Sequence, residues 1–232
     1  MSLIESSGVR KYLLYSIGET ILVVLGILIA LQVNNWNERR KFQETEIKLL
    51  KEIYEDLNES ESDFKQNILG DKEIANKKDI IIRVIEKDLP WHDSLQQHFN
   101  YFNYWNSYTI KSTAYNSIEY WGINNISNDG IRRQIINIFQ VHVLSLIRNE
   151  EEEREIQLAT LNDIISTRFD WGEIDRVRPI DYNSFLNNEE FKWRLKTFNA
   201  FKRITIRNRE AILEEIIKTK DNIKKEIRRL ED

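Results

Sequence analysis

The spacing of apolar and polar positions separates one continuous apolar run from a series of amphipathic ones. From Tyr12 to Val33, "YLLYSIGETILVVLGILIALQV" is apolar on every side, with Glu19 its only charged residue. At a rise of about 1.5 Å per residue such a helix covers about 30 Å, the thickness of a hydrocarbon core. Beyond it, Leu50, Ile53, Tyr54, Leu57, Phe64 and Ile68 recur at three- and four-residue steps. They predict one long helix, or two in series, over 38–87, with Gly70 a place where it could kink or break. Pro90 in "DLPWHD" disfavours helix at Leu89 and interrupts the pattern. An aromatic-rich helix is expected over 93–108, and a short one at "STAYNSIEYWG" with Gly122 just past its end. A longer helix runs from near Ile131 to Phe169, with Asn128 or Asp129 as its cap. A loop around "DWGEIDRVRPIDY" leads to a last helix over 188–230. No segment alternates with period two over a useful length. The expected fold class is all-α: one N-terminal transmembrane helix followed by an antiparallel bundle of about four long helices. The domains are then a short tail (1–11), the transmembrane helix (12–33) and an extramembrane helical bundle (34–232).

Composition supports this reading and narrows the function. A chain of 232 residues, 31% charged and 11% aromatic, can fold around one helical core. Only 7 glycines and 2 prolines leave few punctuators and favour long helices. A formal charge of −4 argues against nucleic acid as a partner. Cysteine is absent, which excludes disulfides, thiolate metal sites and a cysteine nucleophile.

The apolar run is long for a signal peptide, and no A-x-A-like site follows Leu31, so it reads as an uncleaved anchor. Tyr12 and Tyr15 at one end and Trp36 at the other suit the membrane interfaces, with lipid as the contacting partner. Basic residues flank both ends, and their count does not decide the orientation. A core beginning after Glu19 would be only about 21 Å long, so Glu19 lies inside the interface, where an ionised carboxylate costs about 2–3 kcal/mol unless paired or protonated. Glu19, Val23, Gly26 and Ala30 share one helical face, and Gly26 and Ala30 form a small-xxx-small step that lets another helix approach. This face is the expected packing seam, toward a second copy (a homo-oligomer) or another membrane protein. The alternative is that Glu19 merely reaches the head groups.

Outside the membrane segment the chemistry is sparse. Tyr101, Tyr104, Trp105, Tyr108 and Trp121, interleaved with Asn100, Asn103 and Asn106, could line a pocket for a sugar or amphipathic ligand; core packing is the alternative. His92, His98 and His142 lack the spacing of a metal site. The run Glu150 to Glu153 reads as a solvated face, and the basic C-terminal tail from Lys218 to Arg229 as a solvated helix end or a contact with anionic head groups. No nucleophile-elbow, zincin, P-loop or dinucleotide motif occurs. No catalytic residue, metal or cofactor is expected.

"KYLLYSIGETILVVLGILIALQVNNWNERRK" resembles the N-terminal signature of a family of uncharacterised single-pass membrane proteins from Bacteroidota, with KYxxYxIGE, a VVxGILIALQ core and NNWNE. "TAYNSIEYWGINNISNDGIRRQI" and "DYNSFLNNEEFKWRL" are also similar to it, although Tyr120 and Trp121 replace smaller polar residues. The resemblance implies an inner-membrane protein with a cytoplasmic N-terminus and a periplasmic helical domain, and it carries no chemistry. The expected function is therefore association, as an assembly or scaffold component and not an enzyme. A ligand-sensing module signalling through a partner, or an accessory subunit of an ion-driven complex using Glu19, are the alternatives.

Overall fold

A computed structural model describes residues 7–102, 104, 106–170 and 176–232. The chain divides into two compact units, residues 1–48 and 49–232. Helix α1 (Ser7–Glu86) is unbroken. In the first unit its apolar side chains from Tyr12 to Val33 are exposed, Leu22 by 73%. It is the one helix among the described residues long and apolar enough to cross a membrane.

In the second unit α1 buries Leu50, Ile53, Leu57, Phe64, Ile68, Ile74, Ile81 and Ile85, the three–four stepping of one helical face. It does not break at Gly70. A Cβ there would come within 2.9 Å of the Asn106 amide nitrogen, so the glycine makes room for a side chain that crosses the helix. The helix stops where Asp88 takes φ 46°. The Leu89 N–H then bonds the Val84 carbonyl and the Asp88 N–H that of Ile85, a left-handed cap made without glycine.

The helix expected over 93–108 is the main departure. Only a 3₁₀ turn (Asp93–Leu95) and α2 (Gln96–Phe99) form. From Asn106 the chain runs as an extended strap, antiparallel to α1, into α3 (Thr113–Trp121). Side chains of one α1 face satisfy the strap's backbone. Asp63 accepts the Thr109 N–H, Ser60 the Lys111 N–H and Asp56 the Ala114 N–H, while Asn67 donates to the Ser107 carbonyl. These acceptors recur every three or four residues, so the strap is matched to a helix as a strand is to a ladder. Gly122 ends α3 at φ 104°, as its sequence position suggests.

Asn128 caps α4 (Asp129–Ile136), accepting from the N–H groups of Gly130 and Ile131. A π-helical turn (Asn137–His142) joins α4 to α5 (Val143–Gln157), and a second (Leu158–Asn162) joins α5 to α6 (Asp163–Arg168). At the second turn the Thr160 carbonyl accepts from Arg194. A two-residue hairpin, β1 (Phe169–Asp170) against β2 (Arg178–Pro179), and α7 (Tyr182–Leu186) lead to α8 (Glu189–Glu231), capped by Asn188.

The architecture is all-α apart from that hairpin. Among the described residues the long helical runs of the second unit are α1, α4–α6 and α8. α8 lies antiparallel to α1: Lys51 pairs with Glu231, Lys72 with Glu210 and Glu86 with Lys196. It is also antiparallel to α4–α6, through Gln134 with Asn222 and Asp163 with Arg194. One end of the core is aromatic, with Phe99, Phe102, Phe169, Phe185 and Phe191 in mutual edge and tilted contacts at 5.1–5.8 Å. Phe191→Ala should therefore cost about 3–5 kcal/mol of unfolding free energy. Trp193→Ala, 65% exposed and two residues further along the helix, should cost under about 0.5 kcal/mol. Urea titration of the two variants checks the contrast.

Candidate functional site: a buried charge ring and its cleft

The buried stripe of α8 steps through Leu195, Phe198, Lys202, Thr205, Arg209, Ile212 and Ile216 without a break. Two core positions of this regular pattern thus carry cations. On α1, Asp71 and Lys78 are likewise wholly buried within the stripe, and Glu153 of α5 is buried opposite them.

Four of these groups close a ring. Asp71 Oδ1 accepts from Lys202 Nζ at 2.8 Å, and Lys202 Nζ also reaches Glu153 Oε1 at 2.5 Å. Glu153 Oε2 accepts from Arg209 Nη2 at 2.9 Å, and Arg209 Nη1 returns to Asp71 Oδ2 at 2.6 Å. Each carboxylate gives one oxygen to each cation, so charge alternates around the ring and sums to zero. The strap completes it: the Tyr108 hydroxyl donates to Asp71 Oδ2 at 2.7 Å, and the Asn106 amide to Asp71 Oδ1 at 3.1 Å. The Arg209 guanidinium also lies 4.2 Å from the Tyr108 ring centre. Burial and the Asp71 carboxylate push the Tyr108 phenol up, so it stays a donor at any ordinary pH. Burial works against the Arg209 charge, but Glu153 and Asp71 outweigh it and hold its pKa above the usual value.

Lys78 stands beside the ring without joining it. Its Nζ is buried, has no hydrogen-bond partner among the described residues, and lies 4.2 Å from the Phe198 ring centre. Burial, and then the neighbouring Lys202 cation, lower its pKa to about 7. The ring opens on one side to a cleft of about 310 Å³, whose wall includes Asn106, Glu150, Arg154 and Gln157 together with Glu153 and Arg209.

Several expected site residues lie elsewhere. Tyr101 sits over Lys77 Nζ at 3.4 Å and 5.9 Å from the Tyr104 ring, whereas Tyr108 belongs to the charge ring. Trp121 ends α3, whose first turn is fixed at Asp56. Lys77 and Asp56 are about 30 Å apart along α1, so Tyr101 and the first turn of α3 are held at separate points of that helix. Trp105 and Asn103 lie outside the described residues. Glu19, Val23, Gly26 and Ala30 are exposed, and a Cβ on Gly26 would meet nothing within 4 Å. Tyr12, Tyr15 and Trp36 are exposed too, with the Arg40 guanidinium over the Trp36 ring.

The acidic run is not a solvated face throughout. Glu153 is in the ring, and Glu150 accepts the Tyr108 N–H at 2.7 Å and the Ser107 hydroxyl at 3.3 Å. In the basic tail, Lys220 pairs with Glu61, Lys218 with Glu215 and Arg229 with Glu226. Burial holds the pKa of both His98 and His142 below the ordinary value.

These features define an all-α protein with one long apolar helix and a charge ring at the junction of three helical runs. Residues 19–173 match the family described as Family of unknown function (DUF6090), and the chain belongs to that family. No curated protein and no solved structure matches the chain. The matched region contains Asp71, Lys78 and Glu153, while Lys202 and Arg209 lie beyond it.

Two stability effects follow from the ring. Glu153→Gln leaves Lys202 and Arg209 each short of an anionic partner and should cost about 3–5 kcal/mol in denaturant unfolding. Lys78 acts with the opposite sign. Its folded pKa is depressed to about 7 from an ordinary 10.5, so the unfolded chain binds the extra proton between those values and stability rises with pH across that window. Below pH 7 the full cost is present. Lys78→Met should accordingly be more stable than wild type at pH 6, by on the order of a few kcal/mol. That gain should fade as pH rises toward 10, which melts at a series of pH values would record.

Proposed function

We propose that this protein is a single-pass inner-membrane protein that works by association, as an assembly or scaffold component, and not by catalysis. The observation that carries the reading is the uninterrupted exposure of the apolar side chains from Tyr12 to Val33. So large an apolar surface needs lipid or protein around it. The resemblance to single-pass proteins of Bacteroidota favours a cytoplasmic N-terminus with the helical bundle on the periplasmic side. Within the lipid, Glu19, Val23, Gly26 and Ala30 make the seam along which two copies, or this chain and another membrane helix, pack. Tyr12, Tyr15 and Trp36 set the depth of the helix.

A second reading is ligand sensing. The cleft beside the charge ring gives it a place to act. The absence of native cysteine makes the association testable. Single cysteines placed from residue 19 to 33 in the full chain should crosslink in membranes most strongly at 19, 23, 26 and 30. Glu19→Gln and Gly26→Leu should weaken the crosslinking several-fold. Equal crosslinking around the helix, or none at any position, contradicts a packed seam.

A further inference from the structure

The aromatic end of the core holds a pocket to which the charge ring contributes no residue. Its volume is about 160 Å³, and it lies between the end of α6, the hairpin and α7. Ile164, Phe169, Phe185 and Phe191, all buried, form an apolar floor. Ile180 stands at the edge, 68% exposed. An apolar cavity of ~150 Å³ takes up a benzene ring, so this floor suits one branched or aromatic side chain.

Two opposite charges flank the floor. Arg168, the last residue of α6, and Asp181, the N-cap of α7, both line the pocket. The Ile180 N–H donates to the Arg168 carbonyl at 3.0 Å, which holds the two backbone segments side by side. Their charged side chains nevertheless stay apart. The Arg168 guanidinium is exposed and has no hydrogen-bond or ionic partner among the described residues. Asp181 Oδ1 accepts the Ser184 N–H at 3.0 Å, and no described residue meets Oδ2. Other charges at this end of the bundle do pair, Arg178 with Asp170 and Arg194 with Asp163.

A cation, an anion and an apolar floor around one small pocket match the three parts of an α-amino acid: carboxylate, ammonium and side chain. We propose that this pocket binds a free α-amino acid with an apolar side chain of leucine or phenylalanine size. The Arg168 guanidinium takes the carboxylate through paired N–H donors, and Asp181 Oδ2 takes the ammonium. The side chain lies on the phenylalanine floor beside Ile180. A zwitterion adds no net charge, so neither Arg168 nor Asp181 faces an uncompensated like charge. Binding here requires no association through the membrane helix.

Isothermal titration of the detergent-solubilised full chain at pH 7 with L-leucine and L-phenylalanine tests this. At least one should bind saturably, one molecule per chain, and glycine should not bind measurably. For the tighter of the two, the N-acetyl derivative keeps only the carboxylate, like the last residue of a peptide. The amide keeps only the ammonium, like the first residue. Each should bind about tenfold or more weakly than its parent, because one charge-assisted pair is lost. Arg168→Gln changes an exposed side chain, and Asp181→Asn keeps a residue that caps α7. Each should weaken binding of the amino acid about tenfold or more without lowering Tm. No saturable binding of either amino acid, a derivative that binds as tightly as its parent, or undiminished binding in Arg168→Gln or Asp181→Asn would each overturn the proposal.

Discussion

The closed ring of Asp71, Lys202, Glu153 and Arg209 is the constraint on which the arrangement of the bundle depends. Apolar stripes alone leave helices free to slide by a turn, because one isoleucine packs much like the next. Buried charges do not allow that freedom. Removing four ions from water is costly, and the ring offsets the cost only when each carboxylate oxygen meets its own donor. A shift of α8 by one turn against α1 would move Arg209 and Lys202 off Asp71 and leave all of them buried and unpaired. Surface pairs on either side, Lys51 with Glu231 and Glu86 with Lys196, keep the same register but are exposed and individually weak. The strap is set by the same centre, since Tyr108 and Asn106 both end on Asp71.

Much of the fold was legible in the chain because it rests on local signals. The cap at Asn128, the stop at Gly122 and the span of α8 follow from residue types at particular positions. The strap was not legible, because what holds Thr109, Lys111 and Ala114 in place is a row of polar side chains fifty or so residues earlier on α1. Aromatic content made 93–108 read as a helix, and nothing local shows that its backbone would be satisfied from outside. The ring was hidden for a related reason. Glu153 sits within a run of four glutamates and looks solvated, and its partners are far away in sequence. One signal was present: the three–four stepping of α8 passes through Lys202 and Arg209 without a shift in phase, as that of α1 passes near Asp71 and Lys78.

The two units carry different kinds of chemistry. The first offers the exposed apolar surface from Tyr12 to Val33, within which Glu19 is the only charged residue. The second encloses the charge ring that sets the helix register, with an open cleft next to it and Lys78 beside it, whose Nζ has no hydrogen-bond partner among the described residues. The proposed association draws on the first.

The central claim is that the ring, and not the surface pairing, fixes how the helices meet. A double-mutant cycle on Glu153→Gln and Lys202→Met, compared with the same cycle on the exposed Lys72–Glu210 pair, measures it most directly. The account predicts a coupling energy of about 2 kcal/mol or more within the ring and under about 1 kcal/mol at the surface. Equal coupling at the two sites would contradict it.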